Sequence, residues 1–208
     1  MSEFKLEVKS ISKHFSRRKN IFSDISFDLI NSEITGIAGQ NGSGKTTLLK
    51  IISGILSPSS GEVYLHVDQI SVKKENFIYY FSFVSPYLVL YEEFTPIEHL
   101  KLFTKMKGIK FNTDKANELL SSFKLYNRRN DQIKTFSSGM KQRVKYGLAL
   151  MNEPQILLLD EPFTNLDNPG IDVIISIITE KQKEGTGIII ASNDDREKDL
   201  CKNIVTLS

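Results

Sequence analysis

Gly39-Gln40-Asn41-Gly42-Ser43-Gly44-Lys45-Thr46-Thr47 lies between two apolar runs, Glu33-Ile34-Thr35-Gly36-Ile37-Ala38 before it and Leu48-Leu49-Lys50-Ile51-Ile52 after it. The flanks read as strand and helix, so the stretch is a glycine loop between them. Its spacing satisfies GxxxxGK[ST], with Gly39, Gly44, Lys45 and Thr46 in the fixed places. A polyphosphate needs several backbone N–H donors converging on one point, and Gly39, Gly42 and Gly44 let the chain turn tightly with no side chain in the way. The helix starting near Gly44 then aims its positive end and unpaired N–H groups at the phosphates. In this pattern Lys45 reaches the β- and γ-phosphates, the Thr46 hydroxyl ligates Mg²⁺, and Thr47 donates to an α-phosphate oxygen. The bland alternative is a Gly/Ser turn, and the complete pattern with both flanks argues against it.

Working outward, a chain of 208 residues can bury one sizeable core, which points to a single α/β domain with an inserted subdomain. Lysine plus arginine number 27 against 25 acidic residues, so the electrostatic footprint of a nucleic-acid binder is missing. Arg17-Arg18-Lys19 reads as a solvated turn. Cys201 is the only cysteine, which excludes an internal disulfide and fits a reducing compartment, with a core thiol as its default role. Charges interrupt the apolar residues at the amino terminus as they do not in a signal peptide, and no run approaches membrane-spanning length.

Phe4, Leu6 and Val8 alternate with Lys5, Glu7 and Lys9, a half-buried strand expected to end near Ile11. Ile25, Phe27 and Leu29 mark a second strand, and between the two lies Phe15, either a ring that stacks on a nucleobase or a core or turn aromatic. After the phosphate-loop helix, strands are expected over 62–67 and 77–84. An apolar stretch, 87–91, within the loop 87–94 then precedes Thr95-Pro96-Ile97-Glu98, which has the form of a capping box. That loop either docks on a partner or packs against its own helices. A second helix carries Ala116, Leu119, Leu120 and Phe123, capped by Asn112 or Thr113. A third begins at Phe136-Ser137-Ser138-Gly139-Met140, a second anion site or an ordinary N-cap. Two helices in succession break the strand alternation, so 85–151 is expected to be a helical insertion and 1–84 with 152–208 the core. Ile156-Leu157-Leu158-Leu159-Asp160-Glu161 returns to the sheet as a strand buried on both faces, and its terminal carboxylates call for a cation opposite. Asn168-Pro169 is expected to cap a helix with Ile171, Ile174, Ile175 and Ile178 facing the sheet. Strands over 188–192 and 204–207 then close the chain.

Together these residues resemble the ATP-binding subunit of ABC transporters, in the right order over nearly the whole chain. Residues 39–46 look like the Walker A loop and 156–161 like the Walker B strand. The resemblance implies Asp160 as the Mg²⁺-holding aspartate, with Thr46, and Glu161 as general base. Residues 136–140 look like the LSGGQ signature, with Phe136 for leucine, Ser138 for the first glycine and Met140 for glutamine, while Ser137 and Gly139 are kept. Asn165-Leu166-Asp167 fits the D-loop, and Phe15 the aromatic that stacks on adenine. By the same resemblance the fold is an α/β P-loop NTPase core of ABC type with an N-terminal antiparallel β part and an inserted α-helical subdomain. ATP and Mg²⁺ are the implied cofactors, held through residues 39–47 including Gln40, Asn41 and Ser43. Two chains would sandwich two ATP molecules head to tail, as a homodimer or with a similar ATPase subunit, on a separate integral membrane subunit. The location implied is cytoplasmic, on the inner face of the cell membrane through that partner. The small size is similar to that of the compact ATPases of cytochrome c maturation.

The sequence departs from the family in two places. Where the family has a glutamine at the end of the strand entering the helical insertion, this chain has Pro86, or Ser85 if the register slips by one. Where it has a switch histidine, this chain has Asn193, which donates a hydrogen bond but cannot become cationic. The expected activity is ATP hydrolysis driving transport. The rival readings are a slow nucleotide-gated clamp or a soluble regulatory ATPase. A nucleic-acid-directed ATPase fits less well, since such proteins usually carry two cassettes or a large coiled-coil insertion.

Overall fold

The computed structural model describes residues 2–16 and 19–207. The solvated-turn reading of Arg17 and Arg18 lies outside them, as do the side chains of Phe15 and Lys19. Two sheets organise the chain. The first is antiparallel, in the order β2-β1-β4-β5, with β1 Phe4–Ser16, β2 Lys19–Ile30, β4 Ser60–Val67 and β5 Ile70–Val72. The second is parallel and five-stranded, in the order β6-β7-β8-β3-β9: β3 is Ile34–Ala38, β6 Phe81–Val84, β7 Ile156–Asp160, β8 Gly187–Ala191 and β9 Asn203–Thr206.

The parallel sheet is buried on both faces, and its alternation sorts one strand into two cores. Leu157, Leu159, Ile188 and Ile190 pack with the helices that carry Leu100, Leu120, Val144, Leu148 and Ile174. Ile156, Leu158 and Ile189 pack the other way, against Leu48 and Leu49 and the antiparallel sheet's Leu6, Val8 and Leu65. The helices are α1 Lys45–Ile52, α2 Pro96–Met106, α3 Thr113–Ser122, α4 Ser138–Leu150, α5 Asn168–Lys183 and α6 Asp195–Lys198. The chain leaves the sheet after β6, builds α2, α3 and α4, and returns on β7, the hydrogen-bonded neighbour of β6.

Several sequence expectations need correction. The strand expected to end near Ile11 continues to Ser16, because Ser10 (φ 48°) bulges rather than ends it, and pairing with β2 resumes beyond. Residues 77–84 are not one strand: a 3₁₀ turn, Lys74–Tyr79, precedes β6 and seats Phe77 against Phe81 at 5.3 Å. A short apolar run does not by itself tell strand from helical turn. The cap of α5 is Asp167, whose Oδ1 accepts the Gly170 N–H at 3.0 Å, which places Asn168 inside the helix. On that helix Ile177 is buried, while Ile175 is only partly so. The capping box at Thr95 and Glu98 and the cap at Asn112 are present. The hairpin strand β5, entered through Asp68 and Gln69 at φ 49° and 66°, had no strong turn signal in the sequence.

Candidate nucleotide site

Four adjacent strands deliver the site. The phosphate loop follows β3, Ser85 follows β6, Asp160 ends β7 and Asn193 lies just beyond β8, so all emerge at the carboxyl edge of one parallel sheet, where ligands of such sheets bind. The loop is pressed against β2: a Cβ on Gly44 would lie 2.4 Å from Ile21 Cγ2, and Gly44 is left-handed at φ 98°, so only glycine fits there. Gly44 is also the N-cap of α1 and supplies no side-chain acceptor. The first N–H groups of the helix therefore have no intrahelical partner and face the loop. The Lys45 side chain is buried, and its ammonium donates to the carbonyl oxygens of Gly39 at 2.7 Å and Gln40 at 3.3 Å. The Ser43 hydroxyl is buried with no partner among the described residues.

A cleft of about 810 Å³ opens over this loop, lined by Asn41, Gly42, Gly44, Lys45, Thr46 and Thr47 and also by Ile21, Lys50, Phe83, Ser85, Tyr87, Leu88 and Glu161. At its floor the Thr46 hydroxyl donates to Asp160 Oδ2 at 2.8 Å, and the Ser85 hydroxyl donates to the same oxygen at 3.4 Å. Burial raises the Asp160 carboxyl above its ordinary pKa, and the neighbouring Glu161 charge adds to this, while the Thr46 and Ser85 hydroxyls and Lys45 oppose it. A carboxylate held where its charge is disfavoured, beside hydroxyl oxygens, is a hard-oxygen set of the kind Mg²⁺ takes. The donor set fits that ion.

Glu161 is left-handed at φ 47°, its N–H tied to Ala191 O at 2.9 Å. A glutamate held in that region stores on the order of 1 to 3 kcal/mol, and such strain gathers at functional positions. Glu161 lines both the main cleft and a smaller one of about 290 Å³, which is also lined by Asn41, Thr164 and Asn193. Asn193 donates from Nδ2 to Asn41 Oδ1 at 2.9 Å, bringing the end of β8 to the phosphate loop.

Ser137 and Gly139 do not line either cleft. Ser137 caps α4 by accepting the Met140 N–H at 3.2 Å, and a Cβ on Gly139 would meet Asn165 O at 3.2 Å, so the signature packs on the following loop of its own chain. Phe15 lies on β1, with its side chain outside the described residues. Sequence reasoning did not single out Ile21, Lys50 or Phe83, which enter the cleft from β2, α1 and β6 and carry no motif. It also missed Lys145, Tyr146 and Glu197. Tyr146 donates to Pro162 O at 3.1 Å, and Glu197 accepts the Phe163 N–H at 2.6 Å, which together steady the segment after β7.

A strand, a glycine loop and a capless helix over a buried carboxylate define a P-loop nucleotide-binding protein of the α/β class. The sequence model of the family described as "ABC transporter" matches residues 22–164, and the chain belongs to that family. Its relatives include the uncharacterized ABC transporter ATP-binding protein YdbJ of Bacillus subtilis (strain 168), 33% identical over 100% of this chain and 67% of the relative. Another is the ABC-type transporter ATP-binding protein EcsA of the same organism, 30% identical over 90% of this chain and 76% of the relative. A solved structure described as the ATP binding subunit of an ABC transporter superposes with a TM-score of 0.83 at 30% identity, covering 97% of this chain and 85% of that one. ABC ATP-binding proteins are ATPases, and this chain has their fold. No helix among the described residues is long and apolar enough to cross a membrane.

Proposed function

We propose that this chain is the ATP-hydrolysing subunit of an ABC transporter, working head to tail with a second copy or a similar subunit on a separate integral membrane protein, at the cytoplasmic face of the cell membrane. The observation that carries it is the 2.8 Å contact between Thr46 Oγ1 and Asp160 Oδ2, which closes the phosphate loop onto the strand that would hold the metal. Residues 39–47 would cradle the phosphates. Lys45 would exchange its two carbonyl partners for phosphate oxygens, and Ser43 would gain the partner it lacks. Thr46 and Asp160 would hold Mg²⁺, which when bound supplies charge neutralisation on the β- and γ-oxygens. Glu161 would orient and deprotonate the attacking water. Asn193 would meet the γ-phosphate, Phe15 would stack on adenine, and Ser137 and Gly139 would serve the nucleotide of the other subunit. We assign residues 85–151 to a helical subdomain and 1–84 with 152–208 to the core, because the helices lie between two adjacent strands.

Loop 87–94 is the proposed contact with the membrane subunit. Tyr87 is 79% and Val89 85% exposed, with Tyr91 and Phe94 beside them, while Leu90 alone turns into the core. None of the relatives named above is described as a cytochrome c maturation ATPase, so the cargo is assigned no further than the family allows. The test is to isolate the tagged protein from membranes with its native partner and measure phosphate release by the complex. Copurification of one polytopic membrane protein with ATP turnover supports the reading. Recovery only as a free chain that binds ATP without turning it over would support the nucleotide-gated clamp instead.

A further inference from the structure

Lys145 carries a charge into the protein interior without meeting a counter-charge among the described residues. The residue is 8% exposed, and burial alone lowers its ammonium from the ordinary lysine pKa, with no carboxylate among the described residues acting against it. Its hydrogen bonds go to main-chain oxygens, at 2.7 Å to Pro86 O and 3.4 Å to Ser85 O. A buried ammonium is costly, and an apolar side chain would pack there at lower cost, so stability does not account for the residue.

What the ammonium holds is the start of the segment after β6. Pro86 has no N–H with which to tether itself. The Ser85 carbonyl accepts from Lys145 at 3.4 Å and from the Leu88 N–H at 3.1 Å, while the hydroxyl of the same residue sits 3.4 Å from Asp160 Oδ2, the oxygen that also accepts from Thr46 at 2.8 Å. Tyr146, the next residue of α4, donates to Pro162 O at 3.1 Å, on the far side of Asp160. One helix thus fixes the exit of β6 and the exit of β7, the strand that ends in the carboxylate. We propose that Lys145 is a positioning residue: by holding the Ser85 and Pro86 carbonyls it presents the Ser85 hydroxyl as a third oxygen donor beside Thr46 and Asp160. This rests on the reading of the cleft as an ATP and Mg²⁺ site. Mg²⁺ favours oxygen donors in near-octahedral order, and residues that orient such donors are typically worth 10- to 100-fold in metal affinity.

The experiment uses Mn²⁺ as the probe, its binding followed by electron paramagnetic resonance on the full chain with saturating ATP. Metal-free ATP binding and thermal unfolding are measured alongside. Lys145→Met and Ser85→Ala should each weaken Mn²⁺ binding about tenfold, and Lys145→Met, whose residue does not line the cleft, should leave metal-free ATP binding unchanged. The double variant should be no weaker than either single one, because both changes remove the same contact. Lys145→Arg, which keeps a cationic donor, should recover part of the loss. Mn²⁺ affinity unchanged in Lys145→Met, or losses that add in the double variant, would overturn the proposal. Should Lys145→Met not fold, Ser85→Ala decides alone, and unaltered affinity there has the same consequence. Wild-type protein that binds neither ATP nor Mn²⁺ would overturn the reading of the cleft itself, an outcome distinct from a failure of Lys145.

Discussion

Asn193 and Asn41 meet through a neutral side-chain hydrogen bond of 2.9 Å, so the end of β8 touches the phosphate loop without bringing charge to it. Turnover by the isolated chain should therefore be slow. Asn193→His should raise phosphate release, by up to about a hundredfold if it restores one transition-state donor, with ATP affinity nearly unchanged. Glu161→Gln should stop release and leave an ATP-bound dimer visible by size-exclusion chromatography. Fast wild-type turnover with no gain from histidine would show that another residue performs the switch.

Lys45→Ala should abolish ATP binding in calorimetry. The ammonium it removes is buried and already placed against Gly39 O and Gln40 O inside the loop, and the glycine N–H groups cannot supply the missing point charge. Binding equal to wild type would refute the phosphate-loop reading.

For the membrane contact the informative substitution is Val89→Asp, since Val89 is 85% exposed. It should release the protein from its membrane partner while changing stability by less than about 0.5 kcal/mol. Leu90, as apolar in sequence as its neighbours, is 7% exposed and packs in the core. A charge there would unfold the loop and report nothing about docking. Val89→Asp that stays membrane-bound would remove the loop from the interface.

Asp160→Asn should stabilise the nucleotide-free protein by about 0.5 to 2 kcal/mol while abolishing metal binding, the trade expected where a site opposes the fold. The pH dependence has a definite sign. Burial raises the folded pKa of Asp160 above its unfolded value, so the folded protein carries the cost of this charge above the folded pKa and is relieved of it as pH falls toward 3.8. The stability gap between variant and wild type, followed by thermal melts, should therefore narrow on acidification through that window. A gap independent of pH would mean that the carboxylate charge is not what burial penalises.

Much of the site was legible because it is local in sequence. The loop 39–47 announces itself through glycine spacing, and the 156–161 strand through apolar residues ending in carboxylates. The capping box at Thr95 needed only three residues of context. What escaped is set by tertiary placement. Lys145 reads in sequence as an ordinary helix-surface lysine, and only the fold, which lays α4 against the exit of β6, turns it inward to Pro86 O. Ser85 was an alternative to Pro86 in sequence, and the structure aims its hydroxyl at Asp160. The run 87–91 is apolar throughout in sequence, yet the backbone sends Leu90 one way and Val89 the other.

The sheet that delivers the site is buried along the whole of β7 and β8, while Ser85, Asn193 and the phosphate loop lie beyond strand ends. Truncating Leu158 would cost about 2 to 5 kcal/mol, whereas exchanging Asn193, which is exposed, leaves every core contact in place. Framework and chemistry are thereby decoupled. A lineage can retune the rate of its ATPase by altering strand-end residues such as Ser85 and Asn193 without putting the folding of the domain at risk.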